Sequence, residues 1–133
     1  MTGPLSPVTV VTAAVVERAG RLLVTQRLEG THLAGHWEFP GGKCEPGEGA
    51  RECLVREIRE ELGVVAMVGN EIHRTLYAYG ERRLELVFFR CDLEGEPRPL
   101  LGQEIRWISR GDLKTLTFPP ADQELIAILA AQA

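Results

Sequence analysis

Three glutamates within five residues are the side chains of this sequence best suited to chemistry. Glu57, Glu60 and Glu61 lie in residues 50–62, a segment without glycine or proline that predicts a helix ended by Gly63. On a wheel of about 100° per residue, Glu57 and Glu61 fall inside the apolar arc and Glu60 lies at its edge. Like charges four residues apart repel, and partial burial makes their ionised forms costlier still. The pattern therefore predicts a positive charge among them.

The chemistry of the glutamate side chains indicates which positive ion would bind there. A set of carboxylate oxygens suits a hard divalent cation, Mg²⁺ or Mn²⁺, better than zinc, which prefers histidine or cysteine. The alternative is a purely structural network between the glutamates and arginine. We favour metal binding, because titratable groups placed at such a cost are typical of functional sites.

A glycine-rich segment precedes this helix. Residues 41–49 hold four glycines in nine positions. Such a loop brings backbone close to a ligand, with N–H groups available to an anion and carbonyls to a metal. Glycine richness alone is a weak signal, but directly before three converging glutamates it indicates a phosphate-plus-metal site.

The elements that must position these groups follow from the hydrophobic pattern. Apolar and β-branched runs bounded by turn residues predict strands, and an apolar face at helical spacing predicts a closing helix. The predicted elements are a hairpin of residues 8–17 and 21–26 turning at Ala19 and Gly20, a short strand 37–39 stopped by Pro40, strands 64–68, 72–79, 84–93 and about 105–109, and a helix 122–131. This mixed order predicts an α/β sandwich around a mixed sheet.

Composition limits the remaining possibilities. A chain of 133 residues that is 44% hydrophobic and 26% charged is expected to form one domain, residues 1–133. A net charge of −4 predicts no nucleic-acid polymer as partner. The three cysteines suggest neither a disulfide framework nor a zinc knuckle and fit a reducing cytoplasm. The apolar run 8–16 is too short to span a membrane. We expect a cytoplasmic protein, monomer or homodimer, whose partner is a small molecule.

The residues around the glutamates match a known pattern. Gly42, five residues, Glu48, seven residues and then residues 56–64 resemble the Nudix box, which here covers residues 42–64. The resemblance implies a Nudix-type α/β/α sandwich and hydrolysis of a nucleoside diphosphate linked to another group. It implies Mg²⁺, with Mn²⁺ as a substitute, as the cofactor. The implied catalytic residues are Glu57, Glu60 and Glu61 as metal ligands, Glu48 paired with Arg56, and the carbonyl of Gly41 as a further ligand.

Two other segments, residues 37–43 and 118–122, resemble the MutT-type branch, which hydrolyses nucleoside triphosphates to monophosphate and pyrophosphate. This resemblance implies that Arg27 binds the triphosphate and that Asp122 forms hydrogen bonds with the edge of the base. The full set of implied substrate contacts is Arg27, His32, Glu38, Phe39, Pro40, Gly41, Lys43, Tyr79, Arg82 and Asp122. For Asp122 the competing interpretation is an N-cap of the last helix, where aspartate is strongly preferred.

The sequence departs from this branch at two positions. Leu101 stands where the branch usually has a glutamate that serves as a metal ligand, and Glu104, three residues on, is the candidate replacement. Asp122 stands where the MutT enzyme has asparagine. An ionised aspartate only accepts hydrogen bonds, which favours a base with an exocyclic amine such as cytosine, whereas a protonated one also serves an oxidised purine.

The leading hypothesis is Mg²⁺-dependent hydrolysis of a nucleoside triphosphate, such as 8-oxo-dGTP, CTP or 5-methyl-dCTP, to the monophosphate and pyrophosphate, with cleansing of the nucleotide pool as a role. One alternative keeps the fold and changes the substrate to ADP-ribose or a diadenosine polyphosphate. Another is a nucleotide-binding Nudix domain without turnover, favoured only by Leu101.

Overall fold

A computed structural model describes residues 8–132 of the chain. The strands and helices, in chain order, are β1 (Val8–Arg18), β2 (Arg21–Gln26), β3 (Trp37–Glu38), β4 (Gly41–Lys43), α1 (Ala50–Leu62), β5 (Val65–Tyr79), β6 (Arg82–Glu94), β7 (Ile105–Ser109) and α2 (Gln123–Ala131). Two short 3-10 segments, Arg110–Thr115 and Pro120–Asp122, lead from β7 into α2.

The sheet is mixed, as the sequence predicts. Its main order is β3-β2-β1-β6-β5, with β4 paired to β1 and β7 paired to β2. Strand β1 is parallel to β6 and antiparallel to β2 and β4. The predicted β1–β2 hairpin is present but short, because only Glu17 and Arg18 of β1 pair with β2. Beyond them β1 pairs with β6 and β4 instead.

Two predictions about local structure are wrong. The strands expected at 64–68 and 72–79 form one long strand, β5, whose pairing with β6 shifts register between Val68 and His73. The pairing continues past Gly69 through this irregularity, so glycine here marks a bulge rather than a break. The start of the expected glycine loop is strand β4, because β1 supplies hydrogen-bonding partners for residues 41–43.

The two helices pack on opposite faces of the sheet. On one face Leu54, Ile58 and Leu62 of α1 are buried with apolar residues of the central strands. On the other, Leu125 and Leu129 of α2 belong to a second core. This arrangement is the predicted α/β/α sandwich. No helix within residues 8–132 has the length and apolarity required to cross a membrane.

The apolar face of α1 is the one that the helical wheel predicts, since Cys53, Leu54, Ile58 and Leu62 are its buried residues. The helix ends where Gly63 adopts a left-handed conformation, with φ of 69°, and donates its N–H to the Arg59 carbonyl. With this face buried, Glu57 and Glu61 are partly buried at its edge, and Glu60 is exposed.

Candidate active site

Arg56 of α1 contacts several carboxylates. Its guanidinium forms a two-point ion pair with Glu48, at 2.7 and 2.9 Å. It also lies 3.0 Å from Glu57 and 3.3 Å from Glu60, and it donates to the Lys43 carbonyl at 3.2 Å. Hydrogen bonding to Arg56 lowers the pKa of Glu48 to about 2. The glycine-rich segment is therefore fastened to the helix by the ion pair that the Nudix resemblance implies.

The arginine network considered as an alternative to a metal thus exists, but it accounts for only part of the cluster. Burial raises the pKa of Glu57 despite its contact with Arg56. Glu61 lies in a different environment: burial, followed by the carboxylates of Glu57 and Glu38, raises its pKa to about 8, while a hydrogen bond from the Gly41 backbone opposes the shift. The charged groups that shift the pKa of Glu61 are carboxylates, which repel its ionised form. A bound cation would stabilise that form.

Gly42 explains how Glu57 reaches this position. A Cβ atom at Gly42 would overlap the carboxyl group of Glu57. The carboxyl of α1 therefore lies directly against the backbone of β4, and only glycine leaves room for it.

A cavity of about 560 Å³ opens beside Glu61, the one of the three helix glutamates that lines it. It is walled by apolar residues of β6, including Leu86 and Phe88, and by polar groups from distant parts of the chain. The predicted site residues that line it are Arg27, His32, Glu38, Phe39, Gly41, Lys43, Glu61, Arg82 and Asp122. Its volume is in the range of small-molecule sites.

Arg27 and Glu38 form an ion pair at the cavity wall. The two charges lie 2.9 Å apart, and the Arg27 Nε donates to the His32 carbonyl at 2.6 Å. Burial raises the pKa of Glu38, and Arg27 opposes that shift. The guanidinium is thus held in a fixed orientation before any ligand arrives.

Asp122 also faces the cavity. It occupies the N-cap position of α2, as the competing interpretation expects, but its side chain makes no capping hydrogen bond. The residue is only 5% exposed. Burial, with a smaller effect from Glu38, raises its pKa to about 7, against the opposing charge of Arg27. Asp122 is therefore a carboxyl group that changes charge near neutral pH.

Glu48, Arg56, Glu57 and Glu60 do not line the cavity, and three further predicted site residues are not placed there by the described structure. Pro40 is buried, does not line the cavity, and accepts the Ala14 N–H at 2.8 Å through its carbonyl. Glu104 is exposed, lies 3.0 Å from Arg106, and is likewise not a lining residue. Tyr79 ends β5, and its side chain lies outside the described residues.

Gln103 faces inward, whereas Glu104, the candidate replacement for the glutamate missing at Leu101, does not. Gln103 is buried, lines the cavity, donates to the Glu61 carbonyl at 3.0 Å and accepts the Leu101 N–H at 2.9 Å. Neighbouring side chains of an extended chain point in opposite directions, so an inward Gln103 is followed by an outward Glu104. Gln103 was not among the predicted site residues, because the expected ligand was a carboxylate. The signal that points to Gln103 is the alternation of inward and outward side chains before β7.

Comparison with known proteins identifies the fold first. The solution structure of the Escherichia coli ORF135 protein superimposes with a TM-score of 0.86 and 37% sequence identity, covering 98% of this chain and 96% of that one. The family model of the NUDIX domain matches residues 6–129. The chain therefore belongs to the Nudix family, and the predictions of family and fold are confirmed.

Two curated relatives are similar over most of their length. The CTP pyrophosphohydrolase of Escherichia coli is 38% identical over 122 residues, which cover 91% of this chain and 90% of the relative. The 8-oxo-dGTP diphosphatase of Haemophilus influenzae is 38% identical over 108 residues, covering 80% of this chain and 79% of the relative.

Proposed function

We propose that this protein is a MutT-type Nudix hydrolase that converts a nucleoside triphosphate to its monophosphate and pyrophosphate. The observation that carries the proposal is the inward Glu61, whose charged neighbours are carboxylates, at the wall of a cavity that also holds Arg27 and Lys43. The activities named for its relatives support this reaction.

The donor set fits a hard divalent cation. Glu57, Glu60 and Glu61 offer oxygen atoms only, and the Gly41 carbonyl is the further oxygen that we assign to the same ion. Mg²⁺ is the proposed cofactor, with Mn²⁺ as a substitute. When bound, such an ion neutralises charge on the phosphate oxygens during phosphoryl transfer.

The residues of the chain have separate tasks in this mechanism. Arg27 and Lys43 bind the phosphates, and Phe39 supplies an apolar wall for the nucleoside. A carboxylate of the cluster, Glu57 or Glu60, accepts the proton of the attacking water. Arg56 is a positioning residue, because it holds both of these carboxylates from one side. Attack on phosphorus then releases pyrophosphate and the nucleoside monophosphate.

Asp122 is the proposed group at the base edge. Its pKa of about 7 lets it occur in two forms near neutral pH. The ionised form accepts from an exocyclic amine such as that of cytosine, and the protonated form also donates, as an oxidised purine requires. CTP, 5-methyl-dCTP and 8-oxo-dGTP are therefore the substrates to compare first.

The proposed setting is the cytoplasm, where the protein acts as a monomer or homodimer on free nucleotides. Its cysteines Cys44, Cys53 and Cys91 are free, which fits a reducing compartment. Cleansing of the nucleotide pool is the role that this chemistry would serve.

The test is a Glu60→Gln, Glu61→Gln double variant. Loss of two ligand charges should lower kcat by at least about 100-fold while leaving the fold intact. Release of pyrophosphate and monophosphate from a panel of triphosphates is measured by chromatography, with circular dichroism to check folding. The matched control is Glu52→Gln, an exposed glutamate of the same helix, which should retain parental turnover.

Two results would contradict the proposal. A double variant with the parental rate would remove the glutamates from the mechanism. Two monophosphates as the products from a dinucleotide, with triphosphates left intact, would assign the protein to a different Nudix activity.

A further inference from the structure

Two thiols from different elements meet behind the glycine-rich segment. Cys44 follows β4 and is half-buried, while Cys53 lies in the first turn of α1 and is fully buried. The two sulfur atoms and a carboxylate oxygen of Glu48 all lie within 4.8 Å of one another. The Cys53 sulfur is also 3.4 Å from the Thr12 hydroxyl and 3.7 Å from the Gly42 carbonyl.

We propose that Cys44, Cys53 and Glu48 form a second cation site, for a thiophilic divalent ion such as Zn²⁺. We call these three residues the thiol site. It is distinct from the proposed Mg²⁺ site, whose donors are oxygen atoms only. The proposal concerns residues that the hydrolysis mechanism does not use as ligands.

The spacing of the donors suits zinc. Zinc binds thiolate sulfur at about 2.3 Å and carboxylate oxygen at about 2.0–2.2 Å in a tetrahedral arrangement. Those bond lengths place two sulfur ligands about 3.8 Å apart, so atoms that already lie within 4.8 Å of one another need to move inward by only about an ångström. Cys44 lies outside regular secondary structure, where a rotamer change can provide this movement. The Gly42 carbonyl lies next to the Cys53 sulfur and can serve as the fourth ligand of the ion.

The charges also balance. Burial, followed by the neighbouring Cys53 and Glu48, raises the pKa of Cys44 to about 12, so without a cation the Cys44 thiol keeps its proton. A divalent ion compensates two thiolates, and the Glu48 oxygen that the ion does not take keeps its contact with Arg56. Binding therefore releases two protons and leaves the site with no added net charge.

Occupation of the thiol site has a consequence for the active site. Both oxygens of Glu48 bind Arg56, and Arg56 in turn holds Glu57 and Glu60. An ion that takes one Glu48 oxygen withdraws it from this ion pair and loosens the support of the proposed catalytic carboxylates. We therefore expect Zn²⁺ at the thiol site to slow hydrolysis even when Mg²⁺ is saturating.

The test is a titration of the reduced, metal-free full-length protein with Cd²⁺ in saturating Mg²⁺. Coordination by thiolates gives a charge-transfer absorption band in the ultraviolet, which oxygen ligands do not give. The expected result is a band that saturates at one ion per chain, and Zn²⁺ should compete it away. Cys44→Ala and Cys53→Ala should each abolish the saturable band, whereas Cys91→Ala, which removes a buried thiol elsewhere, should retain it.

Inhibition by Zn²⁺ provides the second measurement. It should disappear in Cys44→Ala while Mg²⁺-dependent hydrolysis persists, because Cys44 is not part of the proposed active site. If Cys53→Ala fails to fold, Cys44→Ala decides the question alone, since its side chain is only half-buried.

Three outcomes would overturn the proposal. The first is a saturable band that persists in Cys44→Ala, and the second is the absence of any band in the parental protein. The third is quantitative formation of a Cys44–Cys53 disulfide by dissolved oxygen in the presence of Zn²⁺, seen as a loss of two hydrogens by mass spectrometry. That last result would assign the pair to redox chemistry.

Discussion

At the scale of single residues, the most informative group is Asp122. Its carboxyl is buried at the cavity wall, and its pKa rises from 3.8 to about 7, first through burial and then through Glu38. A raised carboxyl pKa means that the folded protein holds the proton more tightly than the unfolded chain. The free energy of unfolding therefore falls as pH rises from about 4 to about 7, and it stays at the lower level above that range.

Asp122→Asn removes this titration while preserving shape. Because asparagine carries no charge, we expect the variant to be more stable than the parent above pH 7 by up to roughly 4 kcal/mol, the equivalent of the pKa change. The difference should shrink towards zero near pH 4. Urea unfolding monitored by circular dichroism at several pH values measures it. A difference that does not vary with pH would contradict the assignment.

The same variant gives a functional control. In the parental protein, the ratio of kcat/KM for 5-methyl-dCTP to that for 8-oxo-dGTP should rise between about pH 6 and about pH 8, as Asp122 ionises. In Asp122→Asn this ratio should not vary with pH. A parental ratio that is flat would remove Asp122 from base recognition.

At the scale of elements, the contact between β4 and α1 places the glutamates. The carboxyl of Glu57 lies against Gly42, and Arg56 binds Glu48 and the Lys43 carbonyl. Strand, connecting segment and helix are thus tied together at several points. A small displacement of β4 must therefore move a proposed metal ligand.

Gly42→Ala tests this coupling. The added methyl group overlaps the Glu57 carboxyl and displaces it, so kcat should fall about 100-fold, the typical cost of misplacing a catalytic group by about an ångström. Steady-state pyrophosphate release measures the effect. Gly111→Ala is the matched control, because a Cβ there meets open space. Unchanged turnover in Gly42→Ala would show that Glu57 tolerates displacement.

At the scale of the whole molecule, two separate apolar cores hold the helices against the sheet. The core beneath α1 includes Leu54, Ile58 and Leu62, and the core beneath α2 includes Phe88 and Leu125. The cavity lies beside Phe39 and Phe88, which contact each other with ring centres 6.2 Å apart. Packing therefore shapes the site as well as stabilising the fold.

Leu54→Ala is expected to lower the free energy of unfolding by about 2–5 kcal/mol, because it leaves a cavity under α1. Leu76→Ala, at a position that is 59% exposed, should change it by less than about 0.5 kcal/mol. Urea unfolding without nucleotide or metal measures both, so that ligand binding does not mask the difference. Equal effects of the two substitutions would contradict the assignment of Leu54 to the core.

Much of the site could be predicted from the sequence because its signals are local. The spacing of Glu57, Glu60 and Glu61 determines their faces on α1 once residues 50–62 form a helix, since helical geometry repeats every 3.6 residues or so. The Glu48–Arg56 ion pair also spans a short stretch of chain. The family followed from the same box.

Only the tertiary structure decided the rest, because those features depend on partners far away in sequence. Residues 41–43 form a strand because β1 is beside them, and Gln103 rather than Glu104 faces inward because of how the chain enters β7. The pKa of Asp122 is raised to about 7 because the fold buries its carboxyl group close to Glu38, and the charge of Arg27 offsets only part of that shift. Local periodicity carries no information about such long-range contacts, so burial and pKa at these positions could not be derived from the sequence.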